Sequence, residues 1–375
     1  MPMKIIFAID SFKGSLTSIE AGNAAAEGAR RVFPDAECVV RPLADGGEGT
    51  VEALAAGLGG ELRRVQVTGP AGKPTLATYG VVGTMAIMEM AQASGITLVS
   101  GAERNPLHTT TFGVGEMIRD AIAHGCRRFV VGIGGSTTND GGAGMLQALG
   151  FRLLDRGGNG IPRGGGGLAS LDRIERGAAM PELKDCTFRI ACDVTNPLCG
   201  EKGASAVFGP QKGATPEMVA ALDAALAHFA DVANGDPDFP GAGAAGGLGF
   251  AFMEFLGGEL KSGVEIVLEE TRFDDVVRDA DIVVTGEGRL DAQTVMGKAP
   301  IGVARAAKRF GKKVIAFSGC VTSDAGVVNA HGIDAFFPIL RQVVPLEEAI
   351  EKGNAAANLA ATAEQVFRCF RLGAH

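Results

Sequence analysis

The chain has 375 residues, of which 46% are hydrophobic and 21% charged, and a formal net charge of −8. That length favours two domains over one, and the apolar content excludes a disordered chain. The acidic balance, with no block of Lys or Arg, argues against a nucleic-acid partner. An anionic substrate must therefore meet local basic groups or a metal ion.

The first predicted element is a strand over Lys4–Ile9, followed by a loop at Asp10–Gly14. Thr17 or Ser18 caps a helix running to about Arg31, with Pro34 beyond its end. Glu37–Pro42 reads as a second strand. The segment Asp45-Gly46-Gly47-Glu48-Gly49-Thr50 leads into a helix through Ala56, which is parallel α/β grammar. From about Arg63 the character changes to short strands at Arg64–Thr68, Thr75–Val82 and Ala86–Glu89. Helices are predicted at Thr111–His124, Asn139–Leu149 and Pro216–Val232, with strands at Arg128–Ile133 and Phe188–Cys192.

The tail returns to the opening style. Asp281–Val284, Lys313–Phe317 and Ala335–Pro338 read as strands, and about Ile301–Phe310 and Glu347–Arg368 as helices. The expected fold is α/β: a parallel Rossmann-like sheet domain from residues 1–65 and 275–375, with a mixed α/β domain, 66–274, inserted in the middle.

Seven cysteines form no C-x-x-C pair and read as reduced thiols in a cytoplasmic protein. No stretch approaches the roughly 18 apolar residues of a membrane helix, so no membrane partner is expected. The five histidines show no metal-ligand spacing.

Ligands of open α/β sheets bind outside the carboxyl ends of the strands. The residues following the strands are Asp10, Ser11, Lys13 and Gly14; Asp45, Glu48 and Thr50; Gly134 through Gly142; Asp193, Thr195 and Asn196; Thr285 through Asp291; and Ser318 and Gly319. Carboxylates, glycines, hydroxyls and a few cations recur there, which suits a phosphate, a metal and a polar substrate.

Gly134-Gly135-Ser136-Thr137-Thr138-Asn139-Asp140-Gly141-Gly142 is the sharpest local signal. Its glycines let backbone N–H groups approach an anion, its hydroxyls add donors, and a helix start follows. A plain turn with Asn139 or Asp140 as N-cap is the competing reading, but it needs far fewer glycines. No Walker A loop exists. The literal G-x-G-x-x-G at Gly241, Gly243 and Gly246 follows no strand and reads as a flexible loop before a helix, or as a hinge.

Asp10, Asp45, Asp193 and Asp291 are candidates for metal ligand or general base. For Asp45, a helix cap is an equal reading. Asp193 precedes Asn196-Pro197, where a cap has little to do. Lys13, Lys212, Arg289 and Lys298 are the cations in glycine-rich loops, and Arg289 has the fork to clamp a carboxylate.

Several segments carry a resemblance to a known family. They are Asp10-Ser11-Phe12-Lys13-Gly14-Ser15, Ala44 through Thr50, Asn105-Pro106-Leu107, Gly132 through Ser136, Asn139 through Met145, Cys192 through Leu198, Ala206 through Ala214, and Thr285 through Asp291. Together they resemble the type-1 glycerate kinases almost end to end. The resemblance implies a two-domain enzyme with its site in the cleft between domains, using ATP and Mg²⁺ to phosphorylate D-glycerate. Most such enzymes make 2-phosphoglycerate; some glycerate kinases make 3-phosphoglycerate.

On that reading Gly134, Gly135, Ser136, Thr137, Asn139, Asp140 and Lys212 hold ATP phosphates. Asp10, Asp45 or Asp291 organises Mg²⁺, and Asp193 or Asp291 accepts the hydroxyl proton. Arg289 or Lys13 anchors the glycerate carboxylate, with Lys13 also a catalytic candidate. Asp10, Ser11 and Glu48 complete the substrate set. The chemistry is compatible with a homo-oligomer. A kinase of another small hydroxy acid is the near alternative. A hydroxy-acid dehydrogenase lacks its glycine fingerprint after the first strand, and a solute-binding protein lacks an export signal.

Overall fold

The computed structural model describes residues 2–44 and 49–373; Asp45 and Glu48, both expected at the site, lie outside the described residues. The chain divides into two units, Met1–Asp45 with Ala56–Leu58 and Gly263–His375, and Gly46–Ala55 with Gly59–Ser262. The expected domain limits of 65/66 and 274/275 therefore move. The strand Glu61–Thr68 pairs along its length with Pro74–Val82 in the second unit, and Gly263 opens the return to the first.

The first unit carries a five-stranded, wholly parallel sheet. Its order is Glu37–Val40, Lys4–Ile9, Ile282–Leu290, Lys313–Val321, Ala335–Pro338. Counted in chain order within the unit this is 2-1-3-4-5, the flavodoxin-like doubly wound arrangement. The two chain ends thus meet in the middle of one sheet, and the strand order reverses between Lys4–Ile9 and Ile282–Leu290.

Lys4–Ile9 reads KIIFAI because both faces are covered, as parallel strands require. Ile5, Phe7 and Ile9 pack on one face with Ala21, Ala25 and Ala29 of the helix Ser18–Arg30 and Phe367 of the helix Lys352–Leu372. Gly28 sets how closely those helices cross: a Cβ there would lie 2.2 Å from the Ala360 carbonyl oxygen. Thr17 caps the first of them in a reciprocal box with Glu20. The single helix expected over Glu347–Arg368 is two, Leu346–Ile350 and Lys352–Leu372. Glu351 turns extended between them and caps the second through the Asn354 amide.

Two strands of this sheet run further than expected. Thr285–Arg289, read as a loop, continues the strand Ile282–Leu290, and Ser318 and Gly319 continue Lys313–Val321. The reason is pairing of those two strands along the whole extension, from Ile282↔Lys313 to Leu290↔Val321. A tertiary ladder overrides the turn signal of the glycines.

The second unit carries a mixed six-stranded sheet in the order Glu259–Lys261, Thr187–Ala191, Arg128–Gly132, Met85–Glu89, Pro74–Val82, Glu61–Thr68. The first four are mutually parallel; Pro74–Val82 pairs antiparallel with both Met85–Glu89 and Glu61–Thr68. Phe129 and Phe188 stack at 4.8 Å between neighbouring strands, and Phe229, Phe250 and Phe252 fill the core beside them. The helix expected at Asn139 begins only at Ala143. Among the described residues no helix is long and apolar enough to cross a membrane.

Candidate active site

In the first unit the reversal of strand order is where a crevice at the carboxyl edge is expected. Asp10 follows Lys4–Ile9 directly, and its amide still donates to the Gly286 carbonyl at 2.9 Å. Its carboxylate accepts from the Ser11 amide at 2.7 Å, and it is buried. Ser18 locks the turn, donating to the Ile9 carbonyl at 2.6 Å and accepting from the Leu43 amide at 2.8 Å. On the adjacent strand Gly288 lies beside the Phe12–Lys13 backbone, where a Cβ would make ordinary contact, 3.5 Å from the Phe12 Cα. The two expected segments, Asp10–Gly14 and Glu287–Asp291, are thereby neighbours.

Asp291 caps the short turn Ala292–Met296, accepting from the Gln293 amide at 3.0 Å. Its carboxylate also faces Arg289 at 3.4 Å and Lys298 at 3.6 Å. Lys298 reaches Glu287 as well, at 3.4 Å, and Thr294 donates to Glu287 at 2.7 Å. Burial lifts the Glu287 carboxyl above the usual carboxylate range, against the pull of Thr294 and Lys298. Lys13 and Arg289 are exposed.

In the second unit the loop after Arg128–Gly132 begins with two exposed glycines, Gly134 and Gly135, and a barely covered Ser136. The amides of these three have no acceptor among the described residues, whereas Thr137 donates to the Ser94 carbonyl at 3.0 Å. Gly135, at φ 73°, supplies the left-handed turn such a loop requires.

Below that rim the expected phosphate ligands turn inward. Asp140 is fully buried and accepts from the Thr111 amide at 2.8 Å, the Thr111 hydroxyl at 3.0 Å, and the Gly142 and Gly144 amides at 3.2 and 3.3 Å. Burial raises its carboxyl, opposed by those donors. Asn139 donates to Ser205 at 2.9 Å. Lys212 is 1% exposed and donates to the Thr138 carbonyl at 2.7 Å; burial drives its ammonium down to about 7, with Asp140 pulling upward. Among the described residues, the hydroxyls of Thr137 and Thr138 and the side-chain Oδ1 of Asn139 are buried without partners.

The Gly241–Gly247 run, read as flexible, is instead a buttress. Gly246 sits at φ 72° and is buried, its carbonyl accepting from the Gly141 amide at 2.9 Å. Asp193 is exposed just beyond Thr187–Ala191, one strand from the Gly134 loop, since Gly132 and Ala191 are register partners.

Two acids escaped the site reading, Glu287 and Glu89. Glu89 ends the strand Met85–Glu89, is buried, and accepts from the Val51 amide at 3.1 Å. Burial pushes it up to about 7, with the Val51, Thr50 and Gly49 amides acting against that. Each is an acid near the end of an apolar strand, and that position was the available signal.

Among the described residues no three His, Cys, Asp or Glu side chains group around a metal position. Mg²⁺ needs only one or two carboxylates beside phosphate oxygens and water. Asp10, buried after the first strand, and Asp291 supply hard carboxylate oxygens that fit that need.

A doubly wound sheet with carboxylates and cations at its reversal, and a glycine loop with open amides in the other unit, define a phosphotransferase of the α/β class. Comparison with known proteins makes the assignment specific. The profile of the glycerate kinase family matches residues 5–371. A glycerate kinase of Haemophilus influenzae is 50% identical over 100% of both chains. A glycerate 2-kinase of Escherichia coli is 50% identical, covering 96% of this chain and 98% of its own. The crystal structure assigned to glycerate kinase 2 of Salmonella typhimurium LT2 superposes with a TM-score of 0.91 at 47% identity, covering 100% and 99% of the two chains. The chain belongs to the glycerate kinase family.

Proposed function

We propose that the protein transfers the γ-phosphoryl group of ATP to the 2-hydroxyl of D-glycerate, giving 2-phosphoglycerate and ADP. The observation that carries the donor side is the run of unengaged amides at Gly134, Gly135 and Ser136. Successive free N–H groups on an exposed glycine loop form an anion nest. Thr137, Asn139, Asp140 and Lys212 act beneath it, holding the nest in shape. The fully buried Asp140 takes the Gly142 and Gly144 amides, so the phosphates are left to the rim.

The acceptor side is the set around the sheet reversal, Asp10, Ser11, Lys13, Arg289 and Asp291, with Glu48 assigned from its motif alone. Arg289 or Lys13 meets the glycerate carboxylate. Asp193 or Asp291 takes the hydroxyl proton as attack proceeds. Asp10, Asp45 or Asp291 would hold Mg²⁺; when bound, the ion neutralises charge on the ATP phosphates. Phosphoryl transfer depends on positioning and charge stabilisation more than on covalent help from the protein. Seven unbridged thiols suit a reducing cytoplasm.

The test is a coupled ADP-release assay with D-glycerate, followed by ³¹P NMR of the product. A phosphorus coupled to one proton identifies the 2-phosphate. Coupling to two identifies the 3-phosphate and overturns the regiochemistry. No glycerate-dependent ADP release sinks the reading.

A further inference from the structure

We propose that Lys298 binds the carboxylate of the acceptor and that Glu287 is the residue that positions it. This rests on reading the sheet reversal in the first unit as the acceptor side. Three cations lie in or beside that set: Lys13, Arg289 and Lys298. They differ in how firmly each is held. Lys13 is exposed and has no side-chain partner among the described residues. Arg289 has a side chain 66% exposed, with Asp291 at 3.4 Å and Asp324 also within its electrostatic reach. Lys298 is 36% exposed and lies between two carboxylates, Glu287 at 3.4 Å and Asp291 at 3.6 Å.

An ammonium carries three donors. Glu287 and Asp291 take at most two, so one remains for a ligand oxygen. Glu287 is itself fixed: it is buried on the strand Ile282–Leu290, and the Thr294 hydroxyl donates to its other oxygen at 2.7 Å. The ammonium is thus ordered before substrate arrives, which removes part of the entropy cost of binding.

The experiment is steady-state kinetics on Lys298→Met, Lys298→Arg, Glu287→Gln and the double variant Glu287→Gln/Lys298→Met, with a calorimetric Kd for D-glycerate measured without ATP. Lys298→Met should raise both the glycerate KM and that Kd by about 10- to 100-fold, the loss of one charge-assisted bond. The KM for ATP should stay unchanged. Lys298→Arg should recover part of the loss. Glu287→Gln keeps an acceptor for Thr294 and should raise the glycerate KM by a smaller factor, and the double variant should be no worse than Lys298→Met.

An unaltered glycerate KM and Kd in Lys298→Met overturns the proposal. So does a fall in kcat alone, which would put Lys298 on the transferred phosphoryl group. Additive effects in the double variant remove Glu287 from the role. Should Glu287→Gln not fold, the half-exposed Lys298 variants still decide the anchor. These results require an active wild-type enzyme, so they fail separately from the glycerate kinase reading.

Discussion

Lys212 and Gly246 converge on one atom, the carbonyl oxygen of Thr138. The lysine ammonium donates to it at 2.7 Å, and a Cβ added to Gly246 would lie 2.1 Å from it. The backbone just below the proposed phosphate rim is therefore fixed by a buried charge and by a contact only glycine permits. Both residues lie more than 70 positions along the chain from the loop they support, so neither role is written in the loop's own sequence.

The buried lysine carries a pH signature. Its pKa falls from 10.5 to about 7 on folding. Between those values the unfolded chain binds more protons than the folded one, so stability rises as pH climbs from 7 towards 10. Below about pH 7 the full cost of the buried charge is present. Lys212→Met removes this term. Urea unfolding of both proteins at pH 7 and pH 9.5 should show wild type gaining on the variant at the higher pH. An equal difference at both pH values would mean Lys212 is not charged and buried as described.

The glycines at 246 and 257 allow a matched comparison. Both have positive φ, 72° and 62°, but nothing lies within 4 Å of a Cβ at Gly257. Gly257→Ala should cost only the left-handed backbone term, about 1 kcal/mol. Gly246→Ala adds a collision with the Thr138 carbonyl and the Asn139 Cα. It should cost several times as much in thermal unfolding and raise the KM for ATP, since the rim rests on that backbone. Equal Tm losses in the two variants would remove the buttress role.

Glu89 titrates in the opposite sense. Its pKa rises from 4.5 to about 7 on folding, so the folded state holds the proton more tightly. Its stabilising term is complete below about pH 4.5 and is lost as pH rises to 7. Glu89→Gln still presents an oxygen to the Val51 amide. The variant should gain on wild type between pH 5 and pH 8, read as Tm at each pH. A constant gap would show that Glu89 is ionised in the fold across that range.

Much of this architecture is legible in the chain itself. Lys4–Ile9 and Arg128–Ile133 announce themselves as apolar runs ending in polar loops, and the helix Pro216–Ala233 has its proline start and its Asn234 stop. The order of the strands is not legible, because pairing of Lys4–Ile9 with Ile282–Leu290 joins residues more than 270 apart. Pairing with Lys313–Val321 likewise hid the strand character of Glu287–Arg289. Asp140 looked like a phosphate neighbour on local pattern. Its burial depends on Thr110 and Thr111, which come from a different segment. Exposure of Gly134 and Gly135 against burial of Thr137 to Asp140 is likewise a property of packing, not of the glycine-rich string.

We propose Asp193 or Asp291 as the general base, and substitution distinguishes them. Asp193 is exposed beyond its strand, and Asp193→Asn keeps its size and shape, so the fold should persist. Asp291 is an N-cap, and asparagine caps almost as well, so Asp291→Asn also keeps its turn. Each substitution therefore removes a proton acceptor while holding the shape. Replacing the true base should lower kcat by about 10² or more at unchanged Tm, with the KM for ATP preserved. Replacing the other aspartate should act mainly on KM, or on the Mg²⁺ concentration needed for half-maximal rate if Asp291 is a metal ligand. Those two readouts separate a base from a ligand in the same set of assays. Near-normal turnover in both variants would exclude both residues and move the search to Asp10 and Glu287.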